Sequence, residues 1–158
     1  MGEKTMPPPY TGGCQCGAIR YEFSCEPLTV YTCHCTDCQK TAASAFGMSV
    51  RVKAENFTLT KGEPNSIDIV ADSGRTKTGL FCGDCGTRVC NKPGANGPQV
   101  VVKAGTLDDP NWFRPIAHIW TRSAQGWFPF ADGLPKFETA PEDPAALNEL
   151  WDAHVAGG

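Results

Sequence analysis

The chain has 158 residues and a formal net charge of −3, with Lys and Arg scattered along it. Such a balance carries no electrostatic footprint for nucleic acid or an anionic membrane surface, and it favours small-molecule chemistry. No apolar run approaches the roughly 18 residues that span a bilayer, and the opening MGEKTMPPPY lacks the apolar stretch of a signal peptide. Met6 stands where N-myristoylation wants Ser or Thr. A cytoplasmic chain with neither membrane nor nucleic-acid partners is expected, and its length suits one folded unit.

Residues 1–9, rich in proline, are expected to form a flexible leader. Residues 10–140 follow as a β-rich domain. Its stretches AIRYEF, SAFGMSVRV, NFTLTKG, VVVKAGTL and HIWTR are short, carry β-branched or aromatic residues, and are separated by Gly, Pro, Asn and Asp. No sustained 3.6-residue apolar period appears before residue 140. Over 141–158 the pattern changes. Asp143 is placed to cap a helix, Pro144 suits its first position, Leu147, Leu150, Trp151 and Val155 recur on one face, and Gly157 ends it. This helix is expected to pack on the same domain.

Nine cysteines need a reason in a reducing compartment, where disulfides are rare and an odd count leaves a thiol unpaired. Seven fall in three clusters: GGCQCG with Cys14 and Cys16, CHCTDC with Cys33, Cys35 and Cys38, and FCGDCG with Cys82 and Cys85. A C-x-x-C turn lets two thiolates converge on one tetrahedral ion. A structural zinc takes four protein ligands, whereas a reactive one keeps a position open. Joining Cys14 and Cys16 to Cys82 and Cys85 therefore makes a closed structural site, and Cys33, Cys35 and Cys38 remain as a three-thiolate site with one open position. The alternative is that His34, His118 or another side chain closes the second site, although alternation along an extended C-x-C run turns His34 away. Cys25 and Cys90 have no partner at metal spacing and read as ordinary buried thiols, with a supporting role open for Cys90.

The blocks GGCQCGAIRYEF, CHCTDCQKTAASAFGMSV, SGRTKTGLFCGDCGTRV, RPIAHIWTRSAQGW and DGLPKFE together resemble the glutathione-dependent formaldehyde-activating enzyme family, which also includes centromere protein V. The resemblance covers roughly residues 10–138. It implies a mainly β, Mss-four-like fold of coiled antiparallel β-sheets stapled by zinc. It also implies two zinc ions: a structural one on Cys14, Cys16, Cys82 and Cys85, and a second, catalytic one on Cys33, Cys35 and Cys38. The implied activity is a carbon–sulfur lyase that reversibly joins formaldehyde to glutathione as S-hydroxymethylglutathione. One departure is Ala43, where many relatives carry Gly.

Glutathione brings two carboxylates, for which Lys40, Arg51, Arg75, Arg88 and Arg122 are the available cations. His118 reads as a packing residue. Two other functions compete with the lyase. One is a non-enzymatic zinc-stapled binding module, with Trp112, Phe113, Trp127 and Phe128 as surface aromatics; the lack of a basic tail argues against a chromatin partner. The other is a redox or metal-handling site at the trio. A small-molecule thiol is the expected partner, and a homodimer is compatible with the sequence.

Overall fold

The computed structural model describes residues 7–71, 74–93 and 97–157. Most of the expected leader lies outside the described residues. Over these residues the chain is mainly β with two α-helices. In order the elements are β1 (Tyr10–Gly13), β2 (Arg20–Phe23), β3 (Thr29–Cys33), α1 (Thr36–Ala42), β4 (Gly47–Lys53), β5 (Phe57–Lys61) and β6 (Asn65–Val70). Then come β7 (Thr76–Phe81), β8 (Arg88–Pro93), β9 (Gln99–Lys103), β10 (His118–Ile119) and α2 (Ala145–Gly157). A small sheet has the order β1-β2-β5 and a larger one β10-β3-β4-β9-β8-β7-β6.

The ladders are antiparallel except for β10, which lies parallel to β3 with His118 opposite Thr32. A parallel pair needs a long connection, and the whole middle of the chain supplies it.

The two faces of the larger sheet differ because successive strand residues point to opposite sides. Val30, Val50, Val52, Val100 and Val102 share one face and are at most 2% exposed. They belong to one buried cluster with Tyr21 and Phe23 of the small sheet. Across the register, Tyr31, Cys33, Ser49, Arg51 and Lys103 occupy the other face. Apolar burial thus holds one side, and the polar side is left to form a site.

At the end of β5 the chain turns through Gly62 at φ +74°, where a Cβ would lie 2.1 Å from the Ala18 carbonyl oxygen. Only glycine combines that conformation with that approach. The small sheet is also tied by Asp108, which pairs with Arg20 and accepts a hydrogen bond from Thr11 Oγ1 at 2.7 Å. The Arg20 guanidinium lowers the Asp108 carboxyl from 3.8 to about 2. A folded-state value below the unfolded one means stability that is present in full above about pH 4 and lost as pH falls through about 2. The two side chains are 34% and 46% exposed, so Asp108→Asn is expected to cost under about 1 kcal/mol at pH 7. Thermal melts of wild type and variant should converge near pH 2.

The C-terminal helix starts where Asp143 Oδ1 accepts the Ala145 N–H at 2.9 Å. Leu147 and Trp151 are buried, and α2 packs on β3, where Thr29 Oγ1 donates to the Leu147 carbonyl at 2.8 Å. Val155 is 41% exposed, so the apolar stripe stops a turn before the helix does. The other helix, α1, has no counterpart in the sequence patterns. Seven residues are too few to show an apolar period, and a cysteine opens it: Cys35 Sγ accepts the Cys38 N–H at 3.3 Å.

Candidate metal centre

Two turns of similar construction carry Cys14, Cys16, Cys82 and Cys85. In each, the glycine after the second cysteine is left-handed, Gly17 at φ +82° and Gly86 at φ +79°. Its N–H returns to the carbonyl of the first cysteine, Gly17 to Cys14 at 3.2 Å and Gly86 to Cys82 at 2.8 Å. A residue with a Cβ would resist that geometry. The turns are joined by the Gln15 N–H donating to Thr87 Oγ1 at 3.2 Å.

The four sulfurs lie within 4.8 Å of one another. Cys14 and Cys16 are 3.6 Å apart, and Cys16 and Cys82 are 3.7 Å apart. These separations are too long for a disulfide, and they match the edge of about 3.8 Å that a tetrahedron of 2.3 Å metal–sulfur arms would have. The Ile19 N–H donates to Cys14 Sγ at 3.2 Å. The hydroxyl of Thr87 leads several hydrogen bonds that lower the Cys85 thiol to about 5. Amide and hydroxyl donors of this kind favour thiolate over thiol.

Cys33, at the end of β3, and Cys35 and Cys38, at the start of α1, bring their sulfurs within 4.8 Å of one another. The hydrogen bonds of Cys33 and then Cys38 push the Cys35 thiol down to about 2, and the same contacts raise Cys33. Either cluster could therefore hold a metal ion. Cys33, Cys35 and Cys38 line a cavity of about 500 Å³, and Cys33 and Cys38 also line an adjoining one of about 640 Å³.

The family model of the glutathione-dependent formaldehyde-activating enzyme matches residues 9–123. The chain belongs to this family. A crystal structure of a Rhodobacter sphaeroides protein is similar at 18% identity and a TM-score of 0.50, covering 80% of this chain and 98% of that one. At that identity the likeness speaks for the fold alone.

His34 and His118, the alternative ligands for closing the second site, stay outside both clusters. His34 is fully buried on the face opposite Cys33, with Nε2 3.2 Å from Thr32 Oγ1. Thr32 Oγ1 is 2.6 Å from His118 Nδ1, and His118 Nε2 is 2.7 Å from Asp132 Oδ2. With neutral rings, His118 Nε2–H donates to the carboxylate, the Thr32 hydroxyl donates to His118 Nδ1, and His34 Nε2–H donates to Thr32. Burial, then the neighbouring His118, lowers the His34 pKa. Phe46, Phe128 and Phe130 surround the ring.

Of the cations expected near substrate, Arg51, Arg75 and Arg122 line the trio's cavity. Lys40 does not line it, and Arg88 donates instead to Asn91 Oδ1 at 3.1 Å. Lys77 and Lys103, which sequence reading missed, line the cavities beside Cys33 and Cys38. The signal available for Lys103 was a charge closing the apolar run VVVK. Cys90 is buried in the core and Cys25 is exposed. Trp112 and Phe113 are buried, so of the four aromatics only Trp127, at 69% exposure, stands out as surface. No helix among the described residues is long and apolar enough to cross a membrane.

Proposed function

We propose that the protein is a zinc-dependent carbon–sulfur lyase acting in the cytoplasm on a thiol–aldehyde adduct such as S-hydroxymethylglutathione. The observation that carries this reading is the three-cysteine cluster opening onto a cavity lined by arginines and a lysine. Cys14, Cys16, Cys82 and Cys85 would hold a structural zinc, and Cys33, Cys35 and Cys38 the second. Bound by three thiolates, zinc would supply a fourth position to a substrate thiol and favour its thiolate form.

The protein's own groups then bind and orient. Cys35 is held at the helix start by the Cys38 N–H, and it lines the cavity together with Cys33 and Cys38. Arg51 stacks on Tyr31 with its guanidinium carbon 5.3 Å from the ring centroid, and Arg122 sits 5.0 Å over Trp120. Stacking of this kind holds a guanidinium in place, and although Arg51 Nη2 donates to Tyr31 Oη at 3.4 Å, the remaining N–H groups are left for a carboxylate. Lys77 lies 3.8 Å from Asp37 at the same rim. A small thiol carrying two carboxylates fits this charge pattern. Three thiolates outweigh a divalent ion, which weakens its pull on an aldehyde oxygen, so the trio is suited to positioning a thiol more than to activating a carbonyl.

Native mass spectrometry before and after adding glutathione tests the proposal. Two zinc ions per chain and a glutathione complex are expected. A single zinc would overturn the second site, and two zincs without a complex would favour the zinc-stapled binding module.

A further inference from the structure

Lys103 stands apart from the other cations of the molecule. It is 8% exposed, yet no acidic side chain among the described residues pairs with it and its ammonium makes no hydrogen bond among them. Its stem is packed away while Nζ is not among the fully buried unpartnered atoms, so the ammonium looks into the cavity it lines rather than into the core. Lys103 closes β9 on the polar face of the larger sheet, opposite Ser49, and lines the cavity that also holds Cys33 and Cys38. A Cβ on Gly47 would lie 3.4 Å from Cys38 Sγ and 3.6 Å from Lys103 Nζ. The sulfur and the ammonium therefore both border the space that a side chain at position 47 would enter, and lie no more than about 7 Å apart.

We propose that Lys103 is a catalytic residue that stabilises the oxyanion formed when the aldehyde carbon joins the substrate sulfur. The inference rests on the lyase reading above. In the joining direction the substrate thiol first loses its proton to solvent. Its sulfur then attacks the carbonyl carbon, a C–S bond forms, and the C=O π pair moves onto oxygen. The alkoxide sits against the Lys103 ammonium and takes a proton from water, giving the hydroxymethyl thioether. In the lyase direction the alkoxide pair re-forms C=O while the C–S bond breaks with its electrons going to sulfur. The metal site is rich in negative charge, so a fixed cation beside it supplies what the thiolates withhold.

The test compares Lys103→Met and Lys103→Arg with wild type in ¹³C exchange spectroscopy of labelled formaldehyde and glutathione, alongside zinc content and calorimetric affinity for glutathione. Methionine keeps the stem and its packing, and Lys103→Gln substitutes for it if that variant does not fold. The Met variant should retain both zinc ions and its glutathione affinity while exchange at saturation slows about 100-fold, the scale of losing one oxyanion donor. Lys103→Arg, which keeps the charge, should recover part of the rate. Full exchange in the Met variant would overturn the assignment. So would loss of the second zinc, which would make Lys103 a counterion to the thiolates, or weakened glutathione binding at an unchanged saturating rate, which would make it a carboxylate contact. A wild type no faster than the spontaneous reaction would instead overturn the lyase reading, and this assignment with it.

Discussion

Cys85→Ser is expected to unfold the protein at neutral pH or leave it molten, with loss of one zinc ion per chain. Cys85, like the exposed Cys16, is not fully buried, so the substitution removes a proposed metal ligand without opening a core cavity. A structural zinc contributes on the order of 10 kcal/mol, which is comparable to the whole stability of a domain of this size. The tetrad is also where the turn after β1 meets the turn after β7, with the Gln15 N–H donating to Thr87 Oγ1 between their tips. Circular dichroism melts with zinc analysis check this. A cooperative transition at the wild-type temperature in Cys85→Ser would show that the tetrad is not a structural metal site.

Cys35→Ser should behave in the opposite way. The variant is expected to stay folded, lose the second zinc, and exchange formaldehyde with glutathione only at the spontaneous rate. The fold survives for a local reason: serine is a better helix cap than cysteine, so the Cys38 N–H keeps an acceptor. The exchange of caps by itself changes stability by no more than about 1 kcal/mol. The activity does not survive because a neutral hydroxyl cannot replace a thiolate ligand. Equal unfolding of Cys35→Ser and Cys85→Ser would remove the distinction between a structural and a reactive cluster. Retained exchange in Cys35→Ser would move the chemistry away from the trio.

Much of the β-rich character could be read without coordinates. AIRYEF contains β2, SAFGMSVRV holds all of β4 but its last residue and NFTLTKG contains β5, because short runs of β-branched and aromatic residues between glycine and proline have few alternatives. The C-terminal helix was equally legible from Asp143, Pro144 and the spacing of Leu147 and Trp151. The motifs were specific enough to indicate the family that residues 9–123 match. Strands β1, β3, β6, β7 and β8 lie outside the stretches that read as strand-like. Of these, β1 is YTGG, two of whose residues are glycine, β6 is largely exposed and β7 is mostly half-buried, so a clean buried face did not mark them. HIWTR yielded only two residues of strand.

The sequence by itself determined the local chemistry of each thiol turn. A glycine after each second cysteine admits the left-handed residue that closes the turn, and the C-x-C and C-x-x-C spacings bring paired sulfurs onto one side. These follow from bonds and angles within a few residues. Only the tertiary structure decided what those turns meet. Cys16 and Cys82 are 66 positions apart, and counting ligands offers a partition but no distance. His34, adjacent to two cluster cysteines, is carried to the far face by strand alternation and spends its Nε2 on Thr32. Lys103, distant in sequence from the trio, arrives beside Cys38 because β9 pairs with β4, and β4 with β3. Sheet register sets which side chains share a face, and that register depends on burying Val50, Val100 and Val102 together, a long-range requirement that no short motif encodes.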